Sequence, residues 1–158
     1  MKDCAQFINL MKQINILFNE VLEVEKSKLN AAVNKDIPHL EECMKKEQAF
    51  VLKFRGFDKK RLSILSEAGL ENQTFKQIIN QCPSEQKTEL EKVYNELNNN
   101  SKLYKDLSES SKVAIETNLY NIEKNLAALK ASPATNGSYS PAGSATPKQT
   151  GGFTSRRI

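Results

Sequence analysis

The chain has 158 residues, of which 39% are hydrophobic and 27% charged, and it contains no Trp. This length suits one domain, and the low apolar fraction favours a slim helical protein over a thick globule. Residues 1–130 contain 20 basic and 19 acidic residues, whereas residues 131–158 contain three basic and no acidic ones. A nucleic-acid surface needs clustered cations, which the nearly neutral body does not provide. We therefore expect no nucleic-acid partner.

Two long helices are predicted first. Apolar residues recur in steps of three and four over residues 3–34, which is the spacing of one helix face. Asp36 and Pro38 are start signals for a second helix, and Gly69 is its stop signal. The connection is short, so the two helices should form an antiparallel hairpin. The apolar stripe of the second helix is expected to be core: Leu40, Cys43, Met44, Phe50, Val51, Phe54, Phe57, Ile64 and Leu65.

A short helix and a long last helix complete the predicted fold. Thr74 can cap the short helix, and the last helix is expected over residues 85–130. The apolar stripe shifts register near Ser111, within a cluster of Asn and Ser, so we expect this part of the helix to be the loosest. The fold class is therefore all-α, an elongated antiparallel bundle or coiled coil of three long helices and one short helix. Residues 131–158 are rich in Gly, Pro and Ser and are expected to form a disordered tail.

The helix lengths predict an unpaired surface. At ~1.5 Å per residue, the first two helices are each roughly 48 Å long and the last is roughly 69 Å. About 20 Å of the last helix should therefore extend past the hairpin turn, from residue 118 onward. An apolar stripe without a partner in its own chain marks an interaction site, unless an offset hairpin or a bent helix buries it. The residues predicted to bind a partner are Ile115, Leu119, Ile122, Leu126 and Leu129.

The cysteines and the apolar segments indicate the compartment. Cys4, Cys43 and Cys82 are odd in number and form no CxxC pair, which argues against a disulfide framework or a zinc site. We expect three unpaired, semi-buried thiols in a reducing cytoplasm. No stretch reaches the ~20 apolar residues of a membrane span, and the N-terminal region does not have the pattern of a secretory signal. We therefore expect a cytoplasmic protein without membrane insertion.

The residues do not form a constellation typical of an enzyme. The single histidine, His39, follows the proline at a helix start and is expected to be solvated. The glycines cluster in the tail rather than in a phosphate-binding loop. The adjacent carboxylates Glu41 and Glu42 point to different sides of their helix. We expect no catalytic residue, no bound metal and no cofactor.

Several segments of the body share the features of a known family. They are residues 25–29, 36–40, 46–47, 61–62, 69–70 and 74–82. A long helix with Glu/Lys-rich last turns, a short break, a second helix with an Arg near its end and a short third element resemble the FlgN family. This family consists of bacterial flagellar chaperones of the hook–filament junction proteins. The resemblance implies an all-helical binding protein without enzymatic activity.

The tail carries the second part of the resemblance. Residues 139–143 place a Tyr before a Gly, and residues 152–158 join an aromatic residue to a basic pair, as in the tails of such chaperones. The resemblance implies that Tyr139 docks to the flagellar export gate. It also implies that the chain binds the C-terminal helical segments of hook-associated junction proteins of the FlgK and FlgL type. It would prevent their premature assembly and deliver them for type III export.

The residues also leave a different class of function open. The same apolar stripe would serve a structural coiled-coil or helical-bundle subunit that has no export role. Such a subunit would form a homodimer through the stripe, and flagellar proteins would not alter that dimer.

Overall fold

The computed structural model describes residues 4–131. It contains the helices α1 (Ala5–Val33), α2 (Ile37–Glu67), α3 (Phe75–Gln81) and α4 (Ser84–Ala131). The predicted all-α bundle of three long helices and one short helix is confirmed. The remainder of the predicted tail, with Tyr139, lies outside the described residues, so the division into body and tail stays a prediction.

The turn between α1 and α2 follows the predicted start and stop signals. The side chain of Asp36 accepts a hydrogen bond of 3.2 Å from the backbone N–H of His39, and Pro38 lies at the start of α2. At the other end of α2, Gly69 has a φ of 67°, a conformation that glycine adopts without steric cost. These signals end each helix where the chain must reverse.

The main hydrophobic core lies where α1 begins and α2 ends. There α3 is fixed by a capping box, in which Thr74 and Gln77 each bond to the other's backbone N–H. The ring of Phe75 lies 5.4 Å from that of Phe7 on α1 and 4.9 Å from that of Tyr94 on α4. We call this part of the molecule the closed end. Its buried residues are Cys4, Phe7, Ile8, Leu10, Met11, Leu65, Leu70, Ile78, Ile79, Cys82, Leu90 and Val93.

A disulfide bond joins Cys4 to Cys82 at the closed end, with 5.9 Å between their Cα atoms. The prediction of three unpaired thiols is therefore wrong for these two residues, whereas Cys43 is buried and free. The cysteines thus no longer support the expectation of a reducing compartment. The two cysteines are separated by 78 positions in the sequence, and they meet because α3 returns the chain to the start of α1. Their spacing alone does not reveal this return. Gln86 accepts a hydrogen bond of 2.7 Å from the backbone N–H of Cys4.

The helix α1 lies between the other two long helices. Both α2 and α4 pack against α1, and the Cα atoms of α2 stay more than 8 Å from those of α4. Hence α2 has one long neighbour rather than two, and its apolar stripe is only partly covered. Cys43 and Leu65 of that stripe are buried, and Phe57 and Ile64 are partly buried against the main core. The prediction as core is wrong for Met44 and Val51, which are exposed, and Leu40, Phe50 and Phe54 are only half-buried. Met44 and Val51 are about half exposed.

Polar side chains connect α4 to α1 along much of its length. Asn100 donates hydrogen bonds to the side-chain oxygens of Asn15 (2.6 Å) and Asn19 (3.1 Å), and Asn15 donates one to Glu96 (2.8 Å). Ser111, at the predicted register shift, is fully buried, and its hydroxyl has no hydrogen-bond partner. The helix is uninterrupted at this point. The expected looseness of this region stays a prediction.

Candidate functional site

The last part of α4 extends beyond the other helices. The side-chain amide of Asn118 donates a hydrogen bond of 2.6 Å to the carbonyl of Ala32, in the last turn of α1. Carbonyls in a last turn have no partner within their own helix, so Asn118 caps α1 from the side. Every residue from 119 to 131 is exposed. We call this segment the overhang; at ~1.5 Å per residue it is about 20 Å long.

The predicted binding stripe lies on one face of α4 and extends along the overhang. Successive members are four, three, four and three residues apart, the spacing of a coiled-coil seam. Ile115 is half-buried at the root of the stripe, and the other members are exposed. Their exposed fractions are Leu119 55%, Ile122 54%, Leu126 52% and Leu129 74%. The alternative in which an offset hairpin or a bent helix buries these side chains does not hold.

The overhang carries few charges beside this stripe. Glu123, Lys124 and Lys130 are its charged residues. An apolar strip with so little charge favours a partner that contributes a matching apolar face rather than a strongly charged one. The geometry therefore fits a second amphipathic helix.

A groove is the second candidate surface, and it forms because α2 and α4 do not meet. It encloses about 490 Å³ above α1. Phe18, Phe54 and Tyr104 meet there, with the ring of Phe18 5.1 Å from that of Phe54 and 6.2 Å from that of Tyr104. We call these three residues the aromatic floor. The other lining residues are Val21, Lys28, Met44, Glu47, Gln48, Phe50 and Val51.

The predicted core stripe of α2 includes four of the residues that line the groove, Met44, Phe50, Val51 and Phe54. Their spacing is that of any apolar helix face, so the pattern does not separate a covered stripe from a half-covered one. An available signal is the run of aromatic residues along one face of α2, since Phe50, Phe54 and Phe57 are all only partly buried.

A charged cluster lies next to the aromatic floor. The ammonium group of Lys28 lies 2.9 Å from a carboxylate oxygen of Glu47 and 3.6 Å from one of Glu25. Glu25 is fully buried, and neither of its carboxylate oxygens has a hydrogen-bond partner. Burial and the neighbouring Glu47 raise the pKa of Glu25 from 4.5 to about 7. We call these three residues the acidic end of the groove.

The two carboxylates of this cluster shift the pKa of Lys28 and of the nearby Tyr104. Burial alone would lower the pKa of Lys28, but Glu47 and Glu25 outweigh that effect and raise it. The ammonium group therefore stays charged at neutral pH. Burial, Glu25 and Glu47 all raise the pKa of Tyr104 as well. When both carboxyl groups are ionised, two negative charges share one positive charge.

The histidine differs from its prediction as a solvated residue. His39 is half-buried, and its Nε2 atom lies 2.7 Å from the hydroxyl oxygen of Ser27 on α1. It thereby links the two helices of the hairpin. Within residues 4–131, no group of three or more His, Cys, Asp or Glu side chains could hold a metal ion. No helix in that range is long and apolar enough to cross a bilayer.

Comparison with known proteins identifies the family. The family model described as "FlgN protein" matches residues 1–147, which include all four helices. No curated protein and no solved structure matches the chain. The match covers most of the chain, including the body segments and the tail residues 139–143 that carry the resemblance, whereas residues 152–158 lie outside it. The chain therefore belongs to the FlgN family of flagellar export chaperones, which bind flagellar hook-associated proteins.

Proposed function

We propose that this protein is a cytoplasmic chaperone that binds the C-terminal helical segments of hook-associated junction proteins of the FlgK and FlgL type. It keeps those segments from assembling before export. The observation that carries this proposal is the overhang, whose apolar stripe has no partner in the described part of the chain. Family membership supplies the general role, and the overhang supplies a place for the client.

The stripe suits an amphipathic client helix. From Ile115 to Leu129 it extends ~21 Å, or two heptads, which allows side-by-side helix packing. Four half-exposed Leu and Ile side chains would each contribute about 1 kcal/mol on full burial. The entropy lost on association offsets part of this gain, so binding of the client is reversible. Reversibility is what an export chaperone needs, because it must release its client.

The position of the tail suits delivery to the export gate. Tyr139 follows Ala131 by eight residues, so it lies within roughly 28 Å of the end of α4 even when that segment is fully extended. In this proposal Tyr139 docks to the gate, and the client is held on the adjacent overhang. Docking therefore brings the client close to its exit route.

The experiment mixes the purified chain with hook-associated proteins of the same organism on a sizing column with light scattering. We expect a stable complex only when the C-terminal helical segments of those proteins are present. The double change Ile122→Asp and Leu126→Asp should weaken the complex by about 100-fold or more, because two charges would be buried without partners. Helicity by circular dichroism should not change.

Val113→Asp is the matched control. Val113 lies on the same helix and is equally exposed, at 56%, but it is not part of the stripe. This variant should keep the complex. Unfolding of the double variant would mean that the stripe is core. A homodimer that hook-associated proteins do not alter would instead support the structural-subunit alternative.

Tail variants test delivery separately from binding. Deleting residues 131–158 should leave client binding intact and impair motility. Tyr139→Ala should reproduce the export defect of the deletion. Normal filament assembly by Tyr139→Ala would rule out its role at the gate. Loss of client binding by the deletion would show that the tail is part of the client-binding surface.

A further inference from the structure

The groove between α2 and α4 exposes apolar side chains that α1 cannot cover. Met44 and Val51 on one wall are about half exposed, and the aromatic floor is half-buried. An exposed apolar surface beside charged residues usually marks a binding site. The groove is separate from the overhang, because its lining on α4 is Tyr104, well before Asn118.

The acidic end indicates the charge of the occupant. Glu25 is a fully buried carboxyl group without a hydrogen-bond donor, and such groups are rare and costly in folded proteins. Glu47 shares Lys28 with Glu25 and is the carboxylate that lines the groove, with 22% of its side chain exposed, so a cation of the occupant can pair with it. An Arg guanidinium group supplies several donors in a planar fork and is suited to a carboxylate.

The spacing of the two features defines the occupant further. Phe54 and Glu47 are seven residues apart on α2, a rise of about 10 Å. An occupant therefore needs an aromatic or apolar side chain and a cation about 10 Å from it. Three or four residues of extended chain span ~10–13 Å.

The chain itself contains such a segment. Phe153 is followed by Arg156 and Arg157, three and four residues later. Residues 131–158 contain no acidic residue that would be repelled by the carboxylates. The segment therefore matches the groove in charge, in apolar character and in spacing.

The chain is also long enough to reach the groove. Tyr104 lies about 40 Å before the end of α4. The 22 residues that lead from Ala131 to Phe153 span up to roughly 75 Å when extended. Tyr139 reaches only roughly 28 Å, which is too short for the aromatic floor. Phe153 can therefore occupy the groove, and Tyr139 cannot.

We propose that residues 149–158 bind in the groove of the same chain. Phe153 packs on the aromatic floor, and Arg156 and Arg157 lie beside the Glu47 carboxylate, with the segment antiparallel to α2. The groove is then an internal docking site that closes the tail into a loop. This inference does not depend on the export role, since it concerns the groove and not the overhang.

The test uses methyl NMR spectra of the full chain. Phe153→Ala, and separately Arg156→Ala with Arg157→Ala, should shift the methyl signals of Val21, Met44 and Val51 and leave those of the overhang unchanged. Tyr139→Ala is the matched control, because it removes the other aromatic residue of the tail and should leave the groove signals unchanged. The spectra should not depend on protein concentration.

A peptide of residues 149–158 provides the second measurement. It should bind the full-length Phe153→Ala chain about tenfold or more tightly than the wild-type chain, in which the tethered segment already fills the groove. Unchanged groove signals in both tail variants would overturn the proposal. So would shifts confined to Leu119 and Leu126 on the overhang, or shifts that appear only at high concentration, which would indicate binding to a second copy.

Discussion

The two ends of α4 show the same apolar pattern in opposite surroundings. At the closed end, Leu90 is fully buried among α1, α3 and the disulfide-linked cysteines. On the overhang, Leu126 is half exposed, and so far as residues 4–131 are concerned all of its neighbours from 119 to 131 are exposed as well. The residue type is the same, and the difference arises because the turn between α1 and α2 is reached before α4 ends. Helix length, rather than local composition, separates the buried part of α4 from its exposed part.

The comparison is tested most directly by truncating one leucine at each end. Leu90→Ala should lower the free energy of unfolding by about 2–5 kcal/mol, because it leaves a cavity in a closed core. Leu126→Ala should lower it by less than about 1 kcal/mol. Urea unfolding measures both. Equal losses would mean that the overhang is packed as tightly as the closed end.

Removing the disulfide tests how much this bond stabilises the closed end. Cys4→Ser removes a link across 78 residues, and chain entropy predicts a loss of about 4.5 kcal/mol, while measured values for such bonds are usually about 2–4 kcal/mol. Unfolding should be compared for the variant and the wild type under oxidising conditions. With a reducing agent the difference should fall to the smaller cost of placing a hydroxyl at the fully buried position of Cys4. A difference that reduction leaves undiminished would show that the side chain matters more than the link.

Glu25 makes stability depend on pH. Its pKa is raised from 4.5 to about 7 in the folded chain, so its favourable contribution is complete below pH 4.5 and is lost as the pH rises through 7. The loss amounts to about 3 kcal/mol. Glu25→Gln should remove this dependence. The free energy of unfolding of the variant should therefore rise relative to that of the wild type between pH 5 and pH 8. Urea unfolding at the two values measures the change; parallel pH profiles would contradict it.

Asn118 marks the boundary between the two parts of α4, and its effect should be the smallest. Asn118→Ala removes one hydrogen bond to the last turn of α1 and should cost about 1 kcal/mol. Amide hydrogen exchange should quicken at residues 119–131 more than at the closed end. Equal acceleration along the whole helix would show that this bond supports the fold globally.

The sequence predicts the hairpin and the overhang because both depend on local signals. Asp36, Pro38, Gly69 and Thr74 define the helix ends, and helix rise converts those ends into lengths. The exposure of the overhang follows from that arithmetic. The client-binding role of its stripe and the role of Tyr139 stay predictions.

The groove and the disulfide depend on tertiary arrangement. Nothing in the spacing of Phe18, Phe54 and Tyr104 shows that α2 and α4 stay apart. Cys4 and Cys82 become neighbours only after three helices have packed. Sequence periodicity gives the apolar face of each helix, but it does not give the number of neighbours that cover that face.

The parallel course of α1 and α4 has a mechanical consequence. Both helices start at the disulfide between Cys4 and Cys82, and α4 continues to Ala131, about 72 Å away. A pull on the tail therefore acts along the axis of α4 and loads its contacts with α1 in shear, so that many contacts must yield together. The overhang has no such contacts and stretches first. A pulling force on the tail would therefore unwind the overhang, the proposed client-binding segment, before it separates α4 from α1.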